Sequence, residues 1–157
     1  MDFHNPIITK EPQETAHVGE AVARYLADRE GLHILCLYGQ LGSGKTTFTQ
    51  GFARGLGITS RLLSPTFIIV RRYQIPKKEM YLYHVDLYRL HSEPEMEGIG
   101  IPEIFADPAS YTVVEWADRL GELIPQKRID IHFTTAQDDT HAITIEGLAY
   151  ERHSRNC

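Results

Sequence analysis

Cysteine is nearly absent from this chain. There are two in 157 residues, Cys36 inside an apolar run and Cys157 at the last position. Neither a disulfide framework nor a thiolate zinc site can be built from them. The eight histidines show no metal-ligand spacing. An excess of positive charge is also missing. Sixteen Lys and Arg face twenty-one Asp and Glu, a net charge of −5. A protein whose main task is gripping a phosphodiester backbone leans the other way. No apolar run approaches the roughly 20 residues of a membrane-spanning helix, and the first residues hold no apolar signal core. Internal repeats, low-complexity tracts and an interdomain linker are lacking too. The remaining composition, 42% hydrophobic and 24% charged, is that of an ordinary globular protein. The length suits a single domain over residues 1–157 that buries about two-thirds of its unfolded surface. The tail Glu151–Cys157 reads as frayed, the location as cytoplasmic, and no membrane contact is expected.

One stretch organises what is present. Leu32 to Tyr38 is an apolar run that reads as a buried strand. It is followed by Gly39, four residues, then Gly44, Lys45 and Thr46, the spacing of a phosphate-binding loop. An amphipathic helix follows, with Phe48 and Phe52 four apart and Gly57 at the place of a C-terminal cap. A triphosphate must be wrapped by main-chain N–H groups, which requires a tight loop without bulky side chains. Gly39, Gly42 and Gly44 permit that turn. The helix N-terminus adds donors and a positive dipole end. Lys45 supplies a mobile charge to the β- and γ-phosphates, and the Thr46 hydroxyl is placed to ligate Mg²⁺. The candidate nucleotide set along the loop is Gly39, Leu41, Gly42, Ser43, Gly44, Lys45, Thr46 and Thr47.

The rest of the chain supplies an α/β frame with a mixed sheet flanked by helices. Ile7 and Ile8 suit a short edge strand. A helix begins near Pro12, although no Ser, Thr, Asp or Asn stands at its cap, and it ends over Asp28–Gly31. Ile68–Ile75 and Met80–Asp86 flank a four-residue connection, so they form an antiparallel hairpin. Short helices are expected around Pro94–Met96 and Pro102–Phe105, a strand over Tyr111–Trp116, and a short helix over Ala117–Ile124. Arg128–Phe133 and His141–Glu146 alternate apolar and polar residues and read as a second hairpin.

A phosphate loop needs a carboxylate at the end of a neighbouring strand to hold Mg²⁺ or its water shell. Asp86 ends Y-L-Y-H-V-D, and Glu115 follows T-V-V. Each is an acid after apolar residues, where full burial is costly. Glu115 is expected to lie nearer the metal, with Asp86 acting beside it, directly or through water; residue order alone does not say which of them touches it. Ser64-Pro65-Thr66-Phe67 could sense a γ-phosphate, but by itself it reads as an ordinary turn. Trp116, the sole indole, reads as core, the commoner case for a large aromatic, or as a neighbour of the site. His84 alternates with Tyr83 and Val85 on a strand and reads as structural. Arg71-Arg72, Lys77-Lys78 and Lys127-Arg128 read as solvated faces, with contact to an acidic partner or RNA as the alternative.

In this order and spacing, L-Y-G-Q-L-G-S-G-K-T-T-F, S-P-T-F, Y-H-V-D-L-Y-R-L and V-E-W closely resemble the TsaE (YjeE) family. That family comprises bacterial P-loop ATPases required for threonylcarbamoyladenosine modification of tRNA next to the anticodon. The resemblance runs from Glu11 to Trp116 and weakens afterwards. It implies a small α/β P-loop fold, ATP and Mg²⁺, slow intrinsic hydrolysis, and association with the TsaB–TsaD complex. It implies no transferase activity in this chain itself. Carried over by residue, Gly42 to Thr47 hold phosphates, Thr46 ligates Mg²⁺, and Asp86 and Glu115 are the acidic pair. Thr66 lies in a switch-like loop, so Lys45, Asp86, Glu115 and Thr66 form the catalytic set. Thr15 matches a position near the nucleotide base. Contact with tRNA is expected to be indirect or weak, given the net charge.

Two other readings compete. A small-molecule kinase needs an acceptor pocket and a lid with arginines near the transferred phosphate. His91 to Pro108 is acidic and has no arginine, which weighs against a lid there. A nucleotide-dependent binding module with negligible turnover would use the same residues as an ATPase.

Overall fold

A computed structural model describes residues 1–31, 33–63 and 68–148. Ser64–Phe67, and with it Thr66, lies outside the described residues, as do Leu32 and the tail from residue 149. In chain order the elements are β1 (Ile7–Thr9), α1 (Pro12–Ala27), β2 (His33–Tyr38), α2 (Lys45–Gly55), β3 (Val70–Gln74) and β4 (Tyr81–Asp86). There follow α3 (Glu93–Gly98), α4 (Ile101–Phe105), β5 (Ser110–Glu115), a 3₁₀ segment (Ala117–Leu123), β6 (Ile129–Thr135) and β7 (His141–Glu146).

The strands join in one seven-stranded sheet, ordered β1-β7-β6-β2-β5-β4-β3. The inner pairings β6–β2, β2–β5 and β5–β4 are parallel, and the outer ones are antiparallel. The architecture is therefore α/β with a mixed sheet, as the hairpin signals required. After His33, strand β2 is an unbroken apolar run because a central parallel strand is covered on both faces. Its Leu35 and Leu37 pack with Val22 of α1 and with Phe48 and Phe52 of α2. Ile34 and Cys36 face the other way, against Met96, Ile101 and Leu120. Cys36 is a small buried hydrophobe whose thiol is pushed up to about 12 by burial.

Helix α2 ends as Gly57 suggests. Gly57 takes φ +86°, its N–H bonds to the Arg54 carbonyl, and the N–H of Ile58 bonds to the Ala53 carbonyl. These two bonds form a Schellman cap. Helix α1 lacks a hydroxyl or amide cap, and Glu14 compensates by accepting from the main-chain N–H of Glu11 at 3.1 Å. The two helices cross closely because Gly51 lies on the Ala16 carbonyl, where a Cβ would collide with main chain.

The short helix expected after β5 is present as a 3₁₀ segment over Ala117–Leu123, broken at Gly121, whose φ 56° and ψ −124° no helix contains. The physical reason is Trp116. It takes left-handed φ 59° immediately after β5, so the chain turns sharply before helical bonds can start.

Candidate functional site

Strand β2 is where the parallel sheet changes direction, because the chain leaves it first toward β4 and β5 and later toward β6. Ligands of open α/β sheets bind beyond the carboxyl ends of strands at such a switch point. The loop from Gly39 to Gly44 occupies that point. Gly42 and Gly44 have φ +77° and +102°, a region side chains avoid. A Cβ on Gly44 would sit 3.3 Å from the Thr15 methyl. The turn delivers α2 with its first N–H groups facing the loop.

Alternation along the strands brings the acids to the same place. On β4, Leu82 faces α2, so His84 and Asp86 do as well. On β5, Tyr111 and Val113 face α2, so Glu115 does. Asp86 and Glu115 are register partners on adjacent parallel strands. Both end beneath the N-terminus of α2. Thr46 Oγ1 donates to Glu115 Oε2 at 3.0 Å. Thr49 Oγ1 lies 3.3 Å from Glu115 Oε1 and donates to the Lys45 carbonyl at 2.9 Å. His84 Nε2 lies 2.8 Å from Glu115 Oε1. Asp86 accepts from the Tyr88 main-chain N–H at 2.9 Å.

Lys45 is buried. Its Nζ donates to the Gly39 and Gln40 carbonyls at 2.6 and 2.8 Å and stands 4.4 Å above the Trp116 ring. Burial pushes its pKa down, and the attraction of Glu115, Asp86 and Asp118 opposes that shift. Burial pushes Asp86 up, against the hydrogen bond from Tyr88. The site therefore holds a cation and a carboxylate that both lose solvation, which is the arrangement found where charge chemistry is done.

These groups line one cavity of about 340 Å³. Gly42, Gly44, Lys45, Thr46 and Thr47 form its floor; Asp86 and Glu115 form one side. Leu41, which is 77% exposed, with Tyr88 and Trp116, forms the rim. Trp116 is thus a wall of this cavity, half-buried and packed on Tyr88, and not the core residue that a large aromatic suggests. Ser43 is buried and takes a bond from Lys45 Nζ at 3.3 Å. Gly39 lies against Ser43 Oγ and the Phe133 carbonyl, which leaves no room for a Cβ.

Thr15 lies on the far side of the loop. It shares a 2.8 Å hydrogen bond with Thr9 and lines a cleft of about 120 Å³ with Gly42, Gly44, Thr47 and His141. Three residues of the site were not assigned to it from sequence. Thr49 shows only as a polar position one turn after Thr46. His84 reads as structural until its partner is seen. His141 donates from Nδ1 to the Ser43 carbonyl at 2.7 Å. Its distance along the chain hides that contact.

The donor set fits a nucleotide triphosphate with Mg²⁺. Main-chain N–H groups and Lys45 suit phosphate oxygens, and a hydroxyl with two carboxylates suits a hard cation that keeps part of its water. Among the described residues no helix is long and apolar enough to cross a membrane.

Known proteins resemble this chain over most of its length. A family model described as "Threonylcarbamoyl adenosine biosynthesis protein TsaE" matches residues 9–143. A Bacillus subtilis (strain 168) protein named tRNA threonylcarbamoyladenosine biosynthesis protein TsaE is 41% identical over 140 residues, covering 89% of this chain and 84% of that protein. A protein of the same name from Treponema pallidum (strain Nichols) is 33% identical over 138 residues, covering 88% and 97%. The crystal structure of Bacillus subtilis YdiB has the same fold, with TM-score 0.72 and 35% identity over 90% of this chain and 83% of that one.

Proposed function

The chain belongs to the TsaE family of tRNA threonylcarbamoyladenosine biosynthesis, and from that premise we propose that it binds and slowly hydrolyses ATP with Mg²⁺ as a subunit acting with a TsaB–TsaD complex. The observation that supports this best is the meeting of Lys45, Thr46, Asp86 and Glu115 around one cavity at the carboxyl ends of β2, β4 and β5.

The residues divide the work. Loop N–H groups from Gly42 to Thr47 would cradle the phosphates. Lys45 would exchange its bonds to the Gly39 and Gln40 carbonyls for phosphate oxygens, which restores the solvation its burial removes. Thr46, Glu115 and Asp86 would hold Mg²⁺. Held there, the cation would supply charge neutralisation for phosphoryl transfer. A cation there also relieves Asp86, whose ionised form burial disfavours. Leu41, Tyr88 and Trp116 shield the cavity mouth. Thr15, across the loop beside Gly42, Gly44 and Thr47, would contact the base end of the nucleotide.

With a net charge of −5, the chain has no general attraction for RNA. Its action on tRNA would then run through protein partners, and direct binding to tRNA would be weak and salt-sensitive. Location in the cytoplasm follows from the same reading. The test is ATP hydrolysis by the chain alone and with the TsaB–TsaD pair, together with affinity for the pair in ATP, ADP and nucleotide-free states. Turnover that rises with the pair, and affinity that depends on the nucleotide, support the reading. Phosphoryl transfer to a small acceptor would replace it with a kinase. Binding without turnover would replace it with a nucleotide-gated binding module.

A further inference from the structure

Among the described residues, the buried side-chain atoms Arg71 Nε and His84 Nδ1 lack a hydrogen-bond partner. The second belongs to a fully buried ring between Leu82 and the metal-side acids. A core position that only fills space is cheaper as leucine or valine, because an unpaired buried nitrogen costs its lost hydration. What His84 has in return is the bond from Nε2 to Glu115 Oε1 at 2.8 Å.

The carboxylate of Glu115 is then held at both ends. His84 Nε2 and the Thr49 hydroxyl engage Oε1, and the Thr46 hydroxyl engages Oε2. The hydroxyls belong to α2 and move with it. His84 belongs to β4, the strand next to β5, and its ring is fully buried. Among the described residues, it ties the Glu115 carboxylate to the neighbouring strand through Oε1, while Oε2 meets Thr46, which lines the cavity. Partners behind a liganding carboxylate set its orientation, and losing them commonly costs about 10–100-fold.

We propose that His84 is a positioning residue for nucleotide hydrolysis, donating from Nε2 to hold the Glu115 carboxylate with Oε2 presented to the cavity. This rests on the ATPase reading above.

The test uses the whole chain and the variants His84→Gln, His84→Leu, Glu115→Gln and His84→Leu with Glu115→Gln. In His84→Leu, kcat falls about 10–100-fold, while KM and the affinity for a fluorescent ATP analogue with Mg²⁺ change little. His84→Gln restores most of the rate, because its amide N–H reaches the place of Nε2. In the Glu115→Gln background the leucine change costs nothing further, since both act on one element. A second readout needs no nucleotide. In a crystal structure of His84→Leu the carboxylate of Glu115 leaves Thr46 Oγ1. Retention of that contact overturns the proposal. So do equal losses in the glutamine and leucine variants, or losses that add in the double variant. Failure of the parent chain to bind or hydrolyse ATP would instead overturn the ATPase reading and remove the hydrolytic role, while the crystal structure would still decide whether His84 holds Glu115.

Discussion

The sheet face under α1 and α2 carries two buried histidines, one at each end. His33 opens β2 at the amino end. Its ring stacks on Tyr111 at 4.9 Å, and its Nε2 lies 2.9 Å from the Arg29 carbonyl. His84 lies near the carboxyl end of β4 and bonds to an acid. Between them the same face carries Leu35, Tyr111, Val113 and Leu82. Burial and residue type are alike; the partner differs. A main-chain carbonyl closes off the first ring within the fold. A carboxylate passes the second ring's contact on to Thr46, Thr49 and the cavity. In a parallel sheet the loops at the carboxyl ends lie at the switch point, so polar groups gathered there meet a ligand. At the amino end they only terminate strands.

That contrast can be broken or sharpened by substitution. The largest effect is expected for Lys45→Ala, which removes a buried cation of the carboxyl end. Nucleotide binding should vanish, and with it the saturable change in Trp116 emission on adding ATP and Mg²⁺. Calorimetry and fluorescence check this, and binding at the parent affinity would show that the loop is not a phosphate site.

Glu115→Gln keeps the shape and removes the charge. Turnover should drop by about 10²–10³-fold, the usual scale for losing one site-ordering electrostatic group, with ATP still bound. Steady-state hydrolysis beside Asp86→Asn ranks the two acids. An unchanged rate in Glu115→Gln with an inactive Asp86→Asn would reverse their roles.

Gly51→Ala tests the frame away from both ends. Its new methyl meets the Ala16 main chain, so α1 and α2 must part. Such overpacking costs about 1–3 kcal/mol, which lowers the melting temperature by about 2–12 °C for a chain of this size. A thermal scan showing no loss would mean that α2 can slide without cost.

The smallest effects are in pH dependence, and the two ends differ in sign. Burial lowers the pKa of His33 below its ordinary 6.5. The unfolded chain then takes up that proton more readily, so the stability from His33 is complete above pH 6.5 and declines as pH falls below it. His33→Gln should flatten that slope. Burial raises Asp86 above its ordinary 3.8. The unfolded chain releases that proton first, so Asp86 subtracts stability as pH rises beyond 3.8. Asp86→Asn should make the nucleotide-free chain slightly more stable at neutral pH and reduce the stabilisation by MgATP. Urea melts across pH check both. Identical slopes in parent and variants would show that neither burial is felt.

Much of this protein was legible from residue order because the signals are local. A glycine-rich loop between an apolar run and an amphipathic helix is set by backbone sterics, and so are the Gly57 cap and both hairpins. Asp86 and Glu115 stand out because an acid ending an apolar strand breaks its own pattern. The frame of β2, loop and α2 follows from such rules over a few residues.

Tertiary structure decided which distant groups meet. Strand order put β5 between β2 and β4, and parallel register then set Asp86 beside Glu115. Alternation turned both toward α2, which made Thr49 and His84 neighbours of Glu115. The left-handed turn at Trp116 swung its ring over Lys45 and not into the core. Closure of the β6–β7 hairpin brought His141 onto the Ser43 carbonyl. These contacts span strands far apart in sequence. Their geometry depends on sheet order and register, which the packing of the whole chain selects and no short run of residues encodes.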